Sequence, residues 1–277
     1  MISRDKKIKI MIWHCKDKKI VYGEKTLIMA IINVTPDSFS DGGDNFSIDS
    51  AVQNALSAQK NGADIIDIGG QSTRPGYKEI TPEQEWQRIE PVLRELKGRI
   101  SVSVSVDTYF PYVAEKALQS GADIINDVSG VISPEMAKIV KKYACGWIIM
   151  HNGEGDTDEV RAFFEKSAKE IEKLGINKNQ ICFDMGIGFG KTRAQDMSLI
   201  SNIGLYKQKD FPLLLACSRK RVIKEGSGQE NPKERIYGNI SAHTVGIFAG
   251  ADIIRLHDVE KEKQGIFMAD SLKKFLK

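Results

Sequence analysis

Short apolar runs in this chain end, almost every time, in a polar residue able to hold a ligand. IMAIIN ends at Asn33, SVSVSVD at Asp107, ADIIND at Asn126 and Asp127, and GWIIMHN at His151 and Asn152. ICFD ends at Asp184, LLLACSRK at Lys220, and ADIIRLHD carries Arg255 and His257. Carboxylates accept forked N–H pairs, amides both donate and accept, and guanidinium, ammonium and imidazole groups suit anions. A second feature is the loop Gly69-Gly70-Gln71-Ser72-Thr73-Arg74-Pro75-Gly76, whose backbone N–H groups, hydroxyls and guanidinium suit a phosphate-like ligand. Such a set points to a small polar molecule that carries an anion.

Those residues share a site only if the runs are parallel strands of one sheet. Strand-like segments are LIMAIIN (27–33), ADIIDIGG, ISVSVSV, ADIIN, GWIIM, QICFD, FPLLLAC and ADIIRL, and they alternate with stretches of helical periodicity. Helices are expected from about Ile48 to Gly62, from Thr81 as N-cap with Pro82 at N1, and over 111–120, 133–144, 157–174 and 194–203. Further helices follow at 219–225, 232–249 and 259–276. Eight strand–helix units predict an α/β fold, a (β/α)8 TIM barrel, with the active site at the carboxyl ends of the strands. An open doubly wound sheet fits less well, because no glycine fingerprint follows the first strand. Ahead of the barrel, KIKIMIWH and KKIVYG flank a turn at Lys16 and Asp17, which predicts an N-terminal β-hairpin plugging the barrel bottom. The tripeptide Gly-Ala-Asp recurs at 62–64, 121–123 and 250–252, each time as a glycine helix stop feeding a strand.

Length and composition narrow the class. The 277 residues are read as a single domain, 1–277, close to the ~250 residues typical of such a barrel. A net charge of +3, with 40 basic and 37 acidic residues, makes no case for nucleic acid. No apolar stretch approaches the ~20 residues needed to span a bilayer, and the N-terminus lacks the apolar core of a signal peptide. Cys15, Cys145, Cys182 and Cys217 are scattered, which predicts reduced thiols and a cytoplasmic protein. No Ser-His-Asp or Cys-His arrangement is evident in the sequence.

The motifs INVTPDSFSDGG, GGQSTRPG, VDTY, GADIINDVSG, MHN, DMGIGFGKT, SRK and RLHDV occur in an order and spacing that resemble the dihydropteroate synthase family, from about residue 20 to 275. The resemblance implies condensation of 6-hydroxymethyl-7,8-dihydropterin diphosphate with p-aminobenzoate, giving 7,8-dihydropteroate and pyrophosphate by an SN1-like displacement. It implies pterin contacts at Asp107, Asn126, Asp184, Phe189 and Lys220. It also implies an anion site of Asn33, Arg255 and His257 with Mg2+ held through Asn33, and loops bearing Phe39, Asp41, Thr73, Arg74 and Pro75 that close over the second substrate. Asn33, Asp41, Arg74, Lys220, Arg255 and His257 are the expected catalytic set. A homodimer through the late barrel helices is implied too, although the sequence shows no decisive apolar stripe.

Four positions depart from the family pattern. Met185 stands where a proline is usual, Ala216-Cys217 replaces Gly-Thr, and Gln71 replaces a glutamate. Arg221 occupies the position of a serine that meets the p-aminobenzoate carboxylate. Arginine is itself a capable carboxylate ligand. The departures leave two other readings open: a paralogue with a different amine acceptor, or a non-catalytic pterin binder. A pterin-binding methyltransferase module is a further alternative, opposed by SRK and RLHD, which it would not need.

Overall fold

The structure, a computed structural model, describes residues 11–34, 44–71 and 79–275, with backbone alone for 44–47. A hairpin of β1 (Met11–Cys15) and β2 (Lys18–Tyr22) precedes the barrel. Then come β3 (Leu27–Asn33), α1 (Asp44–Lys60), β4 (Ile65–Gly69), α2 (Pro82–Leu96), β5 (Ser103–Asp107) and α3 (Pro111–Gln119). They are followed by β6 (Ile124–Asp127), α4 (Pro134–Tyr143), β7 (Gly146–Met150), α5 (Thr157–Lys173), β8 (Ile181–Asp184) and α6 (Arg193–Ser201). The chain continues through β9 (Leu213–Leu215), α7 (Arg221–Ser227), α8 (Ile236–Ala249), β10 (Ile253–Leu256) and α9 (Val259–Lys273). Strands β3 to β10 are parallel and close into one barrel, β10 pairing with β3. The expected TIM barrel with an N-terminal hairpin is the observed fold.

Side-chain alternation sorts the strands into two cores. Ile28, Ala30, Ile32, Ile66, Ile68 and Val106 face outward to the helices and belong to the larger apolar cluster. Met29, Ile65, Ile124, Ile148, Cys182, Leu214 and Ile253 face inward and form the second cluster with Trp13, Cys15 and Tyr22 of the hairpin. The hairpin therefore fills the barrel bottom. Trp13 is fully buried and its indole N–H donates to the Gln180 carbonyl at 2.8 Å. The same alternation, carried two residues further along each strand, brings the polar residues to the opposite end.

Helix starts follow local chemistry. Thr81 caps α2 in a reciprocal capping box with Gln84, behind Pro82 at the first turn. Several boundaries differ from expectation: α1 begins at Asp44 rather than near Ile48, and the FPLLLAC strand is confined to Leu213–Leu215. Helix α7 begins at Arg221 rather than 219 because Arg219 adopts a left-handed φ of 60°, which no helix continues through. Over 232–249 the chain makes a short 3-10 turn (Pro232–Glu234) before α8 starts at Ile236.

The three Gly-Ala-Asp repeats have a further structural role. Each glycine has positive φ, and each aspartate then accepts a backbone N–H from the first or second residue of the neighbouring strand. Asp64 accepts from Ile28, Asp123 from Val104 and Asp252 from Leu213, each at 2.9 Å. A lysine pairs with each carboxylate: Lys25 at 2.6 Å, Lys18 at 2.9 Å and Lys207 at 2.7 Å. These clamps pin the registers of β3/β4, β5/β6 and β9/β10 at the barrel bottom. Asp252→Ala is expected to destabilise the fold by about 1.5–3 kcal/mol, the worth of a hydrogen bond to a charged group. Urea unfolding measures it; a loss below about 0.5 kcal/mol would contradict the clamp.

Candidate active site at the carboxyl rim of the barrel

Strand register gathers the expected residues. Asn33, Gly69, Asp107 and Asn126 are consecutive register partners across β3, β4, β5 and β6. Asp184 ends β8 opposite Met150, and Arg255 lies in β10. Gly69 matters by lacking a side chain. A Cβ there would stand 3.5 Å from Asp107 Cβ and 3.8 Å from Asn33 Oδ1, filling the gap between two site residues.

At the centre lies Arg255. Its Nε donates to Asp67 Oδ2 at 2.7 Å and its Nη2 to Asp107 Oδ2 at 2.5 Å. Asn126 Nδ2 adds a bond to Asp67 Oδ2 at 3.2 Å. Burial works against the guanidinium charge, but Asp67 and Asp107 outweigh it and raise its pKa. Burial pushes Asp107 up against the opposing pull of Arg255. Among the described residues, Asp67 Oδ1 and Asn126 Oδ1 are buried without a hydrogen-bond partner. Unsatisfied buried oxygens cost about 1–3 kcal/mol each and mark a place where a ligand N–H would fit.

Asp184 is buried, with Oδ1 accepting from Gly186 N at 2.8 Å. Burial raises its pKa, and Lys220 is the main opposing influence. The Lys220 ammonium lies 4.7 Å from the Phe189 ring centroid and donates to the Ile187 carbonyl at 2.6 Å. Burial lowers its pKa, while Asp184 raises it. Gly186 turns the chain after Asp184 with φ 70°, and a Cβ there would fall 1.9 Å from the His151 carbonyl oxygen, so only glycine fits. His257 leaves β10 on the same side, its Nδ1 3.1 Å from Ser218 Oγ.

Asn33, Asp107, Asn126, Asp184, Phe189, Lys220, Arg255 and His257 thus all sit on β3–β10 or on the segments leaving their carboxyl ends. Arg221 starts α7 and is exposed. Phe39, Asp41, Thr73, Arg74 and Pro75 lie outside the described residues. The ends of the second loop are nonetheless tied: Gln71 accepts from Ile80 N at 3.0 Å and donates to Tyr109 Oη at 2.9 Å. Met185 is fully buried, and the Tyr206 hydroxyl lies 3.1 Å from its sulfur.

Several contributors were not apparent in the sequence. Asp67 was hidden inside an apolar run; the available signal was its alternation with Ile65, which places it on the inward face. Lys191 stands within the DMGIGFGKT motif, where nothing in the sequence marks its role. Its buried ammonium lies within 3.0–3.3 Å of the carbonyls of His151, Gly153, Gly186 and Phe189, binding the loops after β7 and β8 together. Burial lowers its pKa to about 8. Burial and Lys191 lower His151 to about 4, so this imidazole is neutral and packs against Phe163. Cys217, His243 and Glu262 are neighbours in space: burial opposes the imidazolium charge, Cys217 and Glu262 outweigh it and raise the His243 pKa to about 10, and Glu262 lies 2.9 Å from His243 Nδ1. All three side chains are buried between strand end and helices, so they form packing, not a nucleophilic centre.

Behind Asp107, the buried Glu85 accepts from Thr108 Oγ1 at 2.5 Å. Burial raises its pKa from 4.5 to about 7. A raised carboxylate pKa means the folded state keeps a proton that the unfolded chain has already released. Stability should therefore fall as pH rises from about 4.5 to about 7. Glu85→Gln should flatten that dependence by about 1–3 kcal/mol, read from urea melts at pH 5 and pH 7.5. Identical slopes in both proteins would refute the assignment.

Residues 29–257 match the family model described as pterin binding enzyme. A dihydropteroate synthase of a Synechocystis species is 39% identical over 264 residues, covering 91% of each chain. The crystal structure of a Clostridium difficile dihydropteroate synthase in the presence of pteroic acid superposes with a TM-score of 0.86 at 40% identity, covering 91% of this chain and 98% of that one. A Xanthomonas albilineans dihydropteroate synthase with 4-aminobenzoic acid gives a TM-score of 0.90 at 33% identity over 96% and 99% of the two chains. The polar rim, the barrel beneath it and these relatives agree: the chain belongs to the dihydropteroate synthases of the pterin-binding enzyme family.

Proposed function

We propose that the protein condenses 6-hydroxymethyl-7,8-dihydropterin diphosphate with p-aminobenzoate, releasing pyrophosphate and forming 7,8-dihydropteroate. One observation carries this reading: Asp184, Asn126, Asp107, Lys220 and Arg255 converge on one barrel end, where Asn126 Oδ1 and Asp67 Oδ1 are buried without partners among the described residues. A pterin has the N–H donors those oxygens lack. Its guanidine-like edge fits the Asp184 carboxylate as a fork, and Asn126 can accept and donate. Lys220 and Phe189 provide a cation and a ring face beside it.

The chain's own groups favour a dissociative reaction. The methylene C–O bond breaks, pyrophosphate leaves with the electron pair, and the positive charge on the methylene spreads into the ring. The amine nitrogen then attacks and loses a proton. An aromatic amine is unprotonated near neutrality, so positioning and leaving-group stabilisation suffice. Arg255 commits Nε and Nη2 to carboxylates, so its Nη1 and His257 are the groups we assign to the diphosphate. Asn33 offers one amide oxygen at this rim. That fits Mg2+, which takes few protein ligands and completes its shell with water and phosphate oxygens. Bound there, the ion would neutralise leaving-group charge. Asp41 and Arg74, with Phe39, Thr73 and Pro75, are assigned to the second substrate on their loop motifs.

A homodimer is supported by apolar side chains left exposed on the late helices. Tyr237, Val245 and Phe248 lie on one face of α8, and Met268 and Leu272 on α9. The stripe was obscured in the sequence because α8 is apolar on other faces as well. Tyr237→Asp with Phe248→Asp should convert the dimer to monomer in sedimentation; a wild-type monomer would remove the assignment. A cytoplasmic location agrees with four free, buried cysteines. Among the described residues, no helix is long and apolar enough to cross a membrane.

A coupled pyrophosphate assay with both substrates tests the activity. Turnover should need both substrates and a divalent ion, and His257→Ala should lower kcat/KM by about 10–100-fold. Pterin binding with no pyrophosphate release would favour the non-catalytic reading. Arg221, exposed beside the rim, bears on amine selectivity. Arg221→Ser should change the ratio of p-aminobenzoate to sulfonamide affinity by about tenfold. Equal ratios in both proteins would exclude Arg221 from that site.

A further inference from the structure

Behind His257 runs a hydrogen-bond chain whose polarity can be worked out. Asn239, fully buried in α8, accepts at Oδ1 from the backbone N–H of Arg219 at 3.0 Å. A backbone nitrogen can only donate, so this bond fixes which way the amide faces. The Nδ2 hydrogens then point to Glu262 Oε1 at 3.1 Å and Ser218 Oγ at 3.3 Å. Ser218 Oγ also lies 3.4 Å from the His257 backbone nitrogen, again an obligatory donor. Two donors occupy the two lone pairs of the hydroxyl. Among the described residues, the acceptor left for its own hydrogen is His257 Nδ1, at 3.1 Å.

We propose that Asn239 and Ser218 are positioning residues that hold His257 as the neutral imidazole with its proton on Nε2, so that it meets the diphosphate as a hydrogen-bond donor. The inference rests on the anion-site reading of His257 given above and deepens it. An imidazole carrying its proton on Nδ1 would confront an oxygen whose lone pairs are already taken. The same amide fixes the left-handed turn at Arg219, the residue before Lys220. One buried side chain therefore sets both the turn that launches Lys220 and the proton position on His257.

The test is 15N spectroscopy of the histidine side chains in the ligand-free protein, above the imidazole titration range. The chain has four histidines, so His257→Gln assigns the signals. Wild type should show an unprotonated Nδ1 and a protonated Nε2 for His257. Ser218→Ala should bring the two shifts together as the tautomers mix, and Ser218→Thr, which keeps the hydroxyl, should restore them. In the pyrophosphate assay Ser218→Ala should raise KM for the pterin diphosphate about tenfold, and Ser218→Thr should recover most of it. A protonated Nδ1 in wild type, or a Ser218→Ala spectrum identical to wild type, overturns the proposal. The spectrum needs no turnover, so an inactive enzyme with the expected tautomer would overturn the proposed function and leave this inference standing.

Discussion

A single buried guanidinium shared by two carboxylates is the constraint on which this site depends. Arg255, Asp67 and Asp107 come from β10, β4 and β5, and their bonds cross the barrel lumen just above its apolar floor. Removing any partner would leave an uncompensated charge in a poorly hydrated interior, a loss on the order of 3–5 kcal/mol. The trio is also unbalanced. Among the described residues two carboxylates (Asp67 and Asp107) share the one guanidinium, and burial drives Asp107 and, nearby, Asp184 toward protonation. A ligand edge rich in N–H groups relieves that imbalance. An apolar ligand would worsen it.

Strand periodicity makes the fold legible in the sequence. Two-residue alternation distinguishes Ile66 and Ile68, which face the helices, from Ile65 and Asp67, which face the lumen. The strands, the hairpin plug and the polar rim all follow from that rule and from glycine and proline punctuation. Asp67 escaped notice because a lone acid inside an apolar run resembles noise until its register partners are known. Ser218, Asn239 and Lys191 were illegible for a different reason. Their work is to bond backbone groups or other side chains far along the chain, and no local pattern encodes such partners.

Three of the family departures are absorbed without disturbing the carboxylate rim. Met185 is sealed against Tyr206 behind the Asp184 turn, and Gly186 still supplies the reversal that a neighbouring proline would have stiffened. Gln71 works through both ends of its amide, accepting from Ile80 N and donating to Tyr109 Oη, roles a carboxylate could fill only in part. Cys217 finds His243, whose charge is disfavoured by burial and sustained by Cys217 and Glu262. Arg221, at the start of α7, is the one departure that is exposed.

The most direct test of the account is the affinity of Asp67→Asn for 6-hydroxymethyl-7,8-dihydropterin diphosphate, measured by calorimetry on protein shown to be folded. Asp67 holds Arg255 and Asn126 in place, so binding should weaken by about 10–100-fold. An affinity equal to wild type would contradict it, because the rim would then be shown to keep its shape without the carboxylate placed at its centre.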